Sequence, residues 1–347
     1  MMDVTTAKVR FHDPQIEMAH GAGGKASRRL VEGLIVPLLE NPALCALDDA
    51  AVLDLNGSRL ALTADSFVVK PLRFPGGSIG KLAVNGTVND LAVSGAKPLA
   101  LLVTLILEAG LPGDVIQAEV EALAEAARQA GVSVVGGDTK VVEHGKADGM
   151  YITTAGIGFV DPRVELGAAT VCPGDQILLS GPIGDHGITI LLARGELDLE
   201  ADLTSDSRPV TPLVMALIEA VAPGLRWMRD PTRGGVASAL NELARDSRRG
   251  LVLFEERIPL RTEVRGACEI LGLDPLHIAC EGQFLAVVAP QDADAALEAL
   301  RHTPGGEEAV LIGEVRDEPP RTVLSITSYG GTRVVDMLVG DPLPRIC

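Results

Sequence analysis

The segment from residue 78 to residue 94 constrains the fold of this chain more than any other. Its apolar residues follow helical spacing but extend round nearly the whole circumference; they are Ile79, Leu82, Ala83, Val84, Val88, Leu91 and Val93. A helix that is apolar on almost every side is buried rather than solvent-facing. The rest of the chain must therefore supply a packed core around it.

Strands and helices alternate along the chain, which indicates an α/β or α+β fold. A hairpin is predicted at 51–55 and 60–66, with its turn at Asn56-Gly57. The amphipathic pattern before it predicts a helix limited by Pro37. Further strands are predicted at 99–107, 132–135, 151–160, 175–180, 251–254, 284–289, 309–315 and 322–327, and further helices at 114–129, 187–194, 211–222, 235–248 and 292–302.

The length of 347 residues suggests two domains, with a junction near Ala168 to Gly174. We predict an N-terminal extension at 1–15, a first domain at 16–167, a second domain at 168–331 and a tail at 332–347. Pro342 and Pro344 exclude a helix from that tail. We therefore expect it to form an extended arm.

The charge balance excludes some classes of partner. Thirty Lys and Arg residues stand against 47 Asp and Glu residues, a net charge of −17. Without a basic stretch the chain cannot displace counterions from a nucleic-acid backbone, and an anionic membrane is equally unsuitable. The sequence shows no signal peptide and no apolar run long enough to cross a bilayer, so we expect a cytoplasmic protein. A small phosphorylated ligand stays possible.

The five cysteines are scattered and without a CxxC pair, so neither a disulfide framework nor a structural zinc site is expected. Cys45, Cys172, Cys268 and Cys280 have apolar neighbours and are predicted to be buried small hydrophobic side chains. Cys347 differs because it is the last residue. Its thiol could swing on the arm into a pocket and carry a group; an incidental exposed cysteine is the alternative.

Acidic residues occur near predicted strand ends, in the buried helix and at glycine-rich stretches; they are Asp48, Asp49, Asp65, Asp90, Asp138 and Asp230. Such carboxylates suit Mg²⁺, which prefers oxygen ligands and usually shares them with phosphate. Asp90 is the most informative, because a carboxylate in an apolar helix needs a cation, a basic side chain or backbone amides. For Asp48, Asp65 and Asp138 a helix-cap or turn role is an equal alternative.

Two glycine-rich stretches precede helices. Gly21-Ala22-Gly23-Gly24-Lys25 could wrap a phosphate with backbone N–H groups and the Lys25 ammonium, and the stretch from Asp230 to Gly235 opens a helix similarly. The first is not a Walker A loop, because Ala19 and Ala26 stand where that motif needs Gly and Ser or Thr. A flexible loop with a solvated lysine is the alternative.

Glu281 and Lys140 are candidate proton acceptors. Glu281 precedes an apolar strand, where burial would raise the pKa of its carboxyl group to a value suited to proton transfer. Lys140 follows Gly136-Gly137-Asp138-Thr139. A structural ion pair between Glu281 and an arginine is the alternative.

Several motifs together resemble the HypE family of hydrogenase maturation proteins, in the aminoimidazole-ribonucleotide (AIR) synthetase-like superfamily that includes PurM and selenophosphate synthetase. The resemblance spans roughly residues 16–347. The terminal Pro344-Arg345-Ile346-Cys347 is its most specific motif, because the other members lack it. The remaining motifs are Met18-Ala19-His20-Gly21-Ala22-Gly23-Gly24, Thr63-Ala64-Asp65-Ser66, Phe74-Pro75-Gly76-Gly77, residues 81–91, Gly136-Gly137-Asp138-Thr139-Lys140, Arg229-Asp230-Pro231-Thr232-Arg233-Gly234-Gly235 and Glu281-Gly282.

This resemblance implies an ATP-dependent dehydratase that acts on its own C-terminal cysteine. A carbamoyltransferase, HypF, would load a carbamoyl group onto Cys347, and dehydration of the S-carboxamide would give a thiocyanate. The cyano group would then pass to iron held by HypC and HypD on the way to NiFe-hydrogenase. An amide oxygen is a poor leaving group, so transfer of the γ-phosphoryl group of ATP to it makes phosphate the leaving group.

The resemblance also implies a two-domain AIR-synthase-like fold, in which strands of the first domain form a barrel across a homodimer. It implies catalytic roles for Cys347, Glu281 and Lys140, and magnesium ligation by Asp49, Asp90 and Asp230. Positions that bind ATP would be Lys25, Asp48, Asp65, Asn89, Asp90, Gly136, Gly137, Asp138 and Thr232. The loop at 136–138 could be donated by the other subunit.

Two other functions stay open on the sequence alone. One is a non-catalytic carrier that uses the Cys347 arm to hold cyanide or iron. The other is a selenophosphate synthetase-like ATPase, which is disfavoured because the glycine-rich stretch at 21–25 has no cysteine to handle selenium. ATP turnover measured before and after carbamoylation separates these functions, since a carrier would show none.

Overall fold

A computed structural model describes residues 10–39, 41–195, 199–338, 340, 343 and 345–347 of the chain. Pro342 and Pro344, on which the expected extended arm depends, lie outside these residues, as do residues 1–9 of the predicted N-terminal extension. The described chain is mixed α/β structure built on two large sheets, which confirms the predicted fold class. Within it, no helix has the length and apolarity needed to span a membrane.

The first helical region runs past the proline that was expected to limit it. Helix α1 (Lys25–Leu30) continues through a π-helical segment (Val31–Ile35) into the short helix α2 (Val36–Leu39), which contains Pro37. A π-helical turn is wider than an α-helical one, and it accommodates a residue that cannot donate the usual helical hydrogen bond. The predicted end at Pro37 was therefore too early by two residues.

The N-terminal half forms a sheet with the strand order β1-β2-β7-β5-β6. The strands are β1 (Ala51–Leu55), β2 (Ser58–Phe67), β3 (Arg73–Phe74), β4 (Gly77–Ser78), β5 (Ala96–Glu108), β6 (Ser133–Val142) and β7 (Met150–Val160), of which β3 and β4 form a separate small ribbon. The predicted buried helix is α3 (Ile79–Val93), and all its residues are buried except Lys81 and Asp90, which are half-buried. Helix α4 (Gly113–Ala130) connects β5 to its parallel neighbour β6.

The C-terminal half forms the second large sheet, with the order β14-β13-β10-β12-β8-β11-β9. Its strands are β8 (Gln176–Leu179), β9 (Leu225–Arg229), β10 (Gly250–Phe254), β11 (Leu285–Val288), β12 (Val310–Arg316), β13 (Thr322–Ile326) and β14 (Thr332–Val335). The helices of this half are α5 (Asp185–Ala193), α6 (Thr211–Val221), α7 (Gly235–Ser247), α8 (Thr262–Leu271) and α9 (Ala293–Arg301).

One hydrophobic cluster joins the two halves. Leu91 of α3 packs in the same cluster as Leu213 and Leu217 of α6, together with Leu178 of β8. Burial of such side chains stabilises the fold by about 1.5–3 kcal/mol each. The end of α3 that carries Asp90 is consequently held against the C-terminal half.

Further features differ from the sequence-based expectation. Residues 136–138 belong to strand β6 rather than to a loop, and β3, β4, β9, β14 and α8 were not predicted. Cys45 and Cys172 are exposed, whereas Cys268 and Cys280 are buried as predicted. The tail begins as β14, paired with β13, so its first residues are part of a sheet. Apolar neighbours in sequence do not bury a cysteine when the segment lies on the surface.

Candidate active site

Three carboxylates from different parts of the chain converge at the junction of the two halves. Asp49 precedes β1, Asp90 lies in α3 and Asp230 directly follows β9. One oxygen from each lies within 4.8 Å of the others. The packing of α3 against the C-terminal half brings Asp90 to Asp230, which is 140 residues further along the chain.

This acidic cluster is electrostatically unfavourable without a cation. Burial, followed by repulsion from Asp65, Asp230 and Asp49, raises the pKa of Asp90 well above its ordinary value. Burial and the charge on Asp49 do the same to the pKa of Asp230. The pKa of Asp49 rises to about 6, chiefly through burial. Carboxylates pushed towards protonation in this way are poised to gain from a bound cation.

Arg229 partly compensates the cluster. Its Nε lies 2.8 Å from Asp49 Oδ1, and its Nη1 lies 2.8 Å from Glu242 Oε2. Burial alone would lower the pKa of this guanidinium, but attraction to Asp49 and Glu242 raises it. Arg229 pairs with Asp49, and no arginine among the described residues forms an ion pair with Asp90 or Asp230. An all-oxygen donor set of this kind fits Mg²⁺.

A cavity of about 300 Å³ opens over these carboxylates, and we call it the acidic cavity. Three residues expected to bind the nucleotide, Asp48, Asp65 and Thr232, also line it. Thr63 Oγ1 donates to Asp90 Oδ2 at 2.9 Å, and Thr87 Oγ1 donates to Asp65 Oδ2 at 3.2 Å. These hydroxyls orient the two carboxylates, which also lie within hydrogen-bond distance of each other.

Asn89, expected to bind the nucleotide, instead points away from the acidic cavity. Its Nδ2 donates to the carbonyl oxygens of Arg208 and Glu281 at 3.0 and 3.1 Å, and its Oδ1 accepts from the Val210 N–H at 2.8 Å. The side chain is 1% exposed. With both amide atoms occupied by backbone, Asn89 holds the loop that carries Glu281 next to α3.

Replacement of Asn89 by alanine is expected to destabilise the protein. It leaves two buried carbonyls and one buried N–H without these partners, at about 1–3 kcal/mol for each unsatisfied group. Urea denaturation should show a correspondingly lower free energy of unfolding. An exposed amide control, Gln129→Ala near the end of α4, removes no such buried contact. Unchanged stability of Asn89→Ala would contradict the bridging role.

Glu281 is a buried carboxyl group beside this site. It is 3% exposed, and its Oε1 has no hydrogen-bond partner among the described residues. Burial, with repulsion from Asp230 and Asp206, raises the pKa of Glu281 well above its ordinary value, while Arg233 lowers it. A carboxylate in such surroundings accepts a proton readily. No ion pair with an arginine is present among the described contacts of Glu281.

The C-terminal residue lies inside a second cavity, of about 370 Å³, which we call the tail cavity. Cys347 is half-buried, and a main-chain carboxylate oxygen of this residue accepts from the Val68 N–H at 3.0 Å. Arg233 and Ser238 line both the tail cavity and the acidic cavity. Attraction to Cys347 is the main reason that the pKa of Arg233 is raised. Arg233 therefore lies between the tail cavity, which holds Cys347, and the acidic cavity.

The glycine-rich stretch at 21–25 packs against the tail and Arg233. A Cβ at Gly23 would lie 2.7 Å from the Arg233 carbonyl oxygen, and one at Gly24 would lie 2.5 Å from that of Leu338. Gly23 also has a φ of +75°, which favours glycine. Lys25 Nζ lies 2.6 Å from Asp336 Oδ2 and lines neither cavity. The glycines serve close packing here, and Lys25 is engaged by a carboxylate.

Four predicted site residues lie away from both cavities. Gly136, Gly137, Asp138 and Lys140 belong to the exposed strand β6 at the edge of the first sheet. Lys140 Nζ forms an ion pair with Asp138 Oδ2 at 2.6 Å, and both side chains are exposed. Within one copy of the described chain, these residues do not join the acidic cluster.

Sequence reasoning missed the roles of Arg229 and Arg233. Both lie in the motif Arg229-Asp230-Pro231-Thr232-Arg233, in which the sequence predicted a role for Asp230 but none for the arginines. The clustered acidic residues were the available signal, because buried carboxylates require positive charge nearby. Arg229 contacts Asp49, whereas Arg233 lines the tail cavity that holds Cys347.

The fold and site define a class of protein. The N-terminal domain model of AIR synthase related proteins matches residues 47–160, and the C-terminal domain model matches residues 172–324. The chain thus has the two-domain AIR-synthase-like fold. Asp49 and Asp90 of the acidic cluster fall within the first matched segment, and Asp230 falls within the second.

Comparison with individual proteins narrows this class to one family. Carbamoyl dehydratase HypE of Azotobacter vinelandii is 50% identical over 341 residues, which cover 98% of this chain and 100% of the relative. A solved structure of a HypE–HypF complex matches with a TM-score of 0.85 at 43% identity, covering 89% of this chain and 99% of the other. HypE solved in complex with ATP gives 0.80 at 44% identity, covering 96% and 100%. This chain belongs to the HypE carbamoyl dehydratase family.

Proposed function

We propose that this chain is an ATP-dependent carbamoyl dehydratase of hydrogenase maturation that acts on an S-carboxamide at its own Cys347. The observation that carries the proposal is the position of Cys347, in a cavity that shares Arg233 and Ser238 with the acidic cavity. The near full-length similarity to a carbamoyl dehydratase supports it. The overall change converts the carboxamide and ATP into a thiocyanate, ADP and phosphate.

ATP and Mg²⁺ are the proposed cofactors. A relative at 44% identity was solved with ATP, which supports nucleotide binding by this chain. Asp49, Asp90 and Asp230 would hold the metal ion, which supplies positive charge to the phosphate groups when bound. Asp48, Asp65 and Thr232 line the same cavity and would contact the nucleotide or its metal.

Two side chains of this site carry the remaining chemistry. Arg233, facing Cys347, would orient the carboxamide and stabilise negative charge as its oxygen is phosphorylated. The nitrogen must also lose its protons as the C–O bond breaks and the C≡N bond forms. Glu281, buried next to Arg233 and Asp230, is the proposed acceptor. Lys140 is the second candidate.

A homodimer would bring Lys140 and residues 136–138 of one copy to the site of another. Strand β6 is exposed along its length, and the first sheet carries several exposed apolar side chains; they include Val52, Leu53, Leu102, Val134, Val135 and Phe159. Exposed apolar side chains on a sheet favour association with another copy.

We propose HypF and the HypC–HypD complex as further partners. The first is supported by a solved HypE–HypF complex. The cytoplasm is the proposed location.

The test is the intact mass of the protein after incubation with HypF, carbamoyl phosphate and ATP. We expect a gain of about 43 Da from carbamoylation and then a loss of about 18 Da as water is removed, by the phosphorylated-amide route. Cys347→Ala should show neither change, and the control Cys172→Ala, which removes an exposed thiol, should show both. An adduct on Cys45 or Cys172 would overturn the assignment.

A further inference from the structure

His186 is a fully buried histidine that the proposed chemistry does not use. It lies in the first turn of α5, and its side chain contacts the C-terminal tail. Its Nε2 lies 2.7 Å from the Ile346 carbonyl oxygen, and its Nδ1 lies 2.8 Å from Ser205 Oγ. The Phe74 ring packs edge-on against the imidazole at 5.6 Å between centroids.

The hydrogen bonds fix the state of this imidazole. A carbonyl oxygen can only accept, so Nε2 carries the hydrogen and donates it to Ile346. Burial lowers the pKa of His186 to about 4, so the ring is neutral and Nδ1 is an acceptor. Ser205 must then donate to Nδ1, and its oxygen accepts from the Ser207 N–H at 3.1 Å. In this series of hydrogen bonds every donor therefore faces an acceptor.

The bond to Ile346 falls one residue before the reacting cysteine. On either side of it the backbone is also held: Val68 N–H donates to a main-chain carboxylate oxygen of Cys347 at 3.0 Å, and Lys70 N–H donates to the Arg345 carbonyl at 3.3 Å. These contacts pair the tail with the chain that follows β2, and the Ile346 side chain is 7% exposed within a hydrophobic cluster. His186 contacts the tail from a different element, α5.

We propose that His186, oriented by Ser205, is a positioning residue that fixes how the Cys347 side chain enters the tail cavity during dehydration. It acts through the Ile346 carbonyl and touches no reacting atom. The segment at 68–70 holds the backbone of residues 345 and 347. The hydrogen bond from His186 to the Ile346 carbonyl fixes the orientation of the peptide group between them, and so directs the Cys347 side chain towards Arg233. This inference rests on the proposed dehydratase function.

A pair of amide variants separates the two hydrogen bonds of His186. The Nε2 of a glutamine can occupy the place of the histidine Nε2, so His186→Gln can keep the bond to Ile346. The shorter asparagine places its amide near the histidine Nδ1, so His186→Asn can reach Ser205 only. On protein already carbamoylated at Cys347, we expect His186→Asn to dehydrate about 100-fold more slowly, as misplacement does. His186→Gln should stay within about tenfold of the wild type, on the same reasoning.

Maleimide labelling of the unloaded protein gives a second measurement that does not depend on catalysis. Cys347 should react faster in His186→Asn than in the wild type, while the exposed Cys45 and Cys172 in the same molecules react at unchanged rates. Ser205→Ala should shift both measurements in the same direction by a smaller factor. Wild-type dehydration and wild-type Cys347 labelling in His186→Asn would overturn the proposal. Absence of dehydration in the wild type would instead count against the proposed function, and labelling would still test the positioning role.

Discussion

Glu281→Gln is expected to block conversion of carbamoylated Cys347 to the thiocyanate, lowering the single-turnover rate by on the order of 10²–10⁴-fold. Glutamine keeps the size of the side chain, and the backbone of residue 281 can still bond to Asn89 and Asp206. It cannot accept the nitrogen protons as a carboxylate can. The measurement is the loss of about 18 Da from preloaded protein, followed through quenched time points, by the phosphorylated-amide route.

The free energy of unfolding of Glu281→Gln distinguishes a loss of catalysis from a loss of the folded structure. Because the pKa of Glu281 is raised well above its ordinary value of 4.5, the folded protein keeps a proton that the unfolded chain releases as the pH rises past that value. The contribution of this carboxyl to the free energy of unfolding therefore falls as the pH rises, up to the raised pKa. Glutamine does not ionise, so Glu281→Gln should be at least as stable as the wild type at pH 8.

Normal dehydration by Glu281→Gln would remove Glu281 from the mechanism. The matched control is Glu298→Gln, which replaces an exposed glutamate.

The periodic elements of the fold were predictable because their burial follows from local pattern. Helix α3 is apolar on nearly every side, and it is buried except at Lys81 and Asp90. Strand β9 was missed although its sequence, Leu225-Arg226-Trp227-Met228-Arg229, is largely apolar. Its pairing with β11 is a long-range contact, and no local signal distinguishes five such residues from a loop. Gly136-Gly137 looked like a loop because glycine is depleted in strands, yet pairing with β5 makes it part of β6.

In the site, too, residue type was predictable from the sequence, whereas the contacts between distant residues were not. The unusual position of Asp90 in an apolar helix marked it for a charged partner, and the structure places it with Asp49 and Asp230. Asn89, its neighbour, shared the motif but faces a different side of the helix and bonds to backbone. A one-residue step turns a helical side chain by about 100°, so neighbours in a motif serve different surfaces. The contact between His186 and Ile346 joins residues far apart in sequence and leaves no pattern to detect.

Asp90→Asn is expected to abolish metal-dependent ATP turnover while leaving carbamoyl loading of Cys347 intact. Loss of a residue that hydrogen-bonds to a metal ligand typically lowers metal affinity or activity by about 10–100-fold. Loss of a direct ligand should therefore lower ATP turnover by about 100-fold or more. Loading persists because another enzyme performs it. Phosphate release should be measured with a Mg²⁺ titration, alongside the mass gain at Cys347. Near-normal Mg²⁺-dependent turnover would contradict the assignment of Asp90 to the metal.

The same substitution should stabilise the metal-free protein. Burial and the neighbouring carboxylates raise the pKa of Asp90 well above 3.8, so its ionisation at neutral pH is unfavourable in the folded state, and asparagine removes that charge. In the wild type, Mg²⁺ should raise the melting temperature more at pH 8 than at pH 5, because protons compete with the metal when these carboxyls are protonated. Asp90→Asn should show a higher melting temperature without metal and a much smaller Mg²⁺ shift. The exposed control Asp54→Asn on β1 should behave as the wild type in both respects, and a full Mg²⁺ shift in Asp90→Asn would place the ion elsewhere.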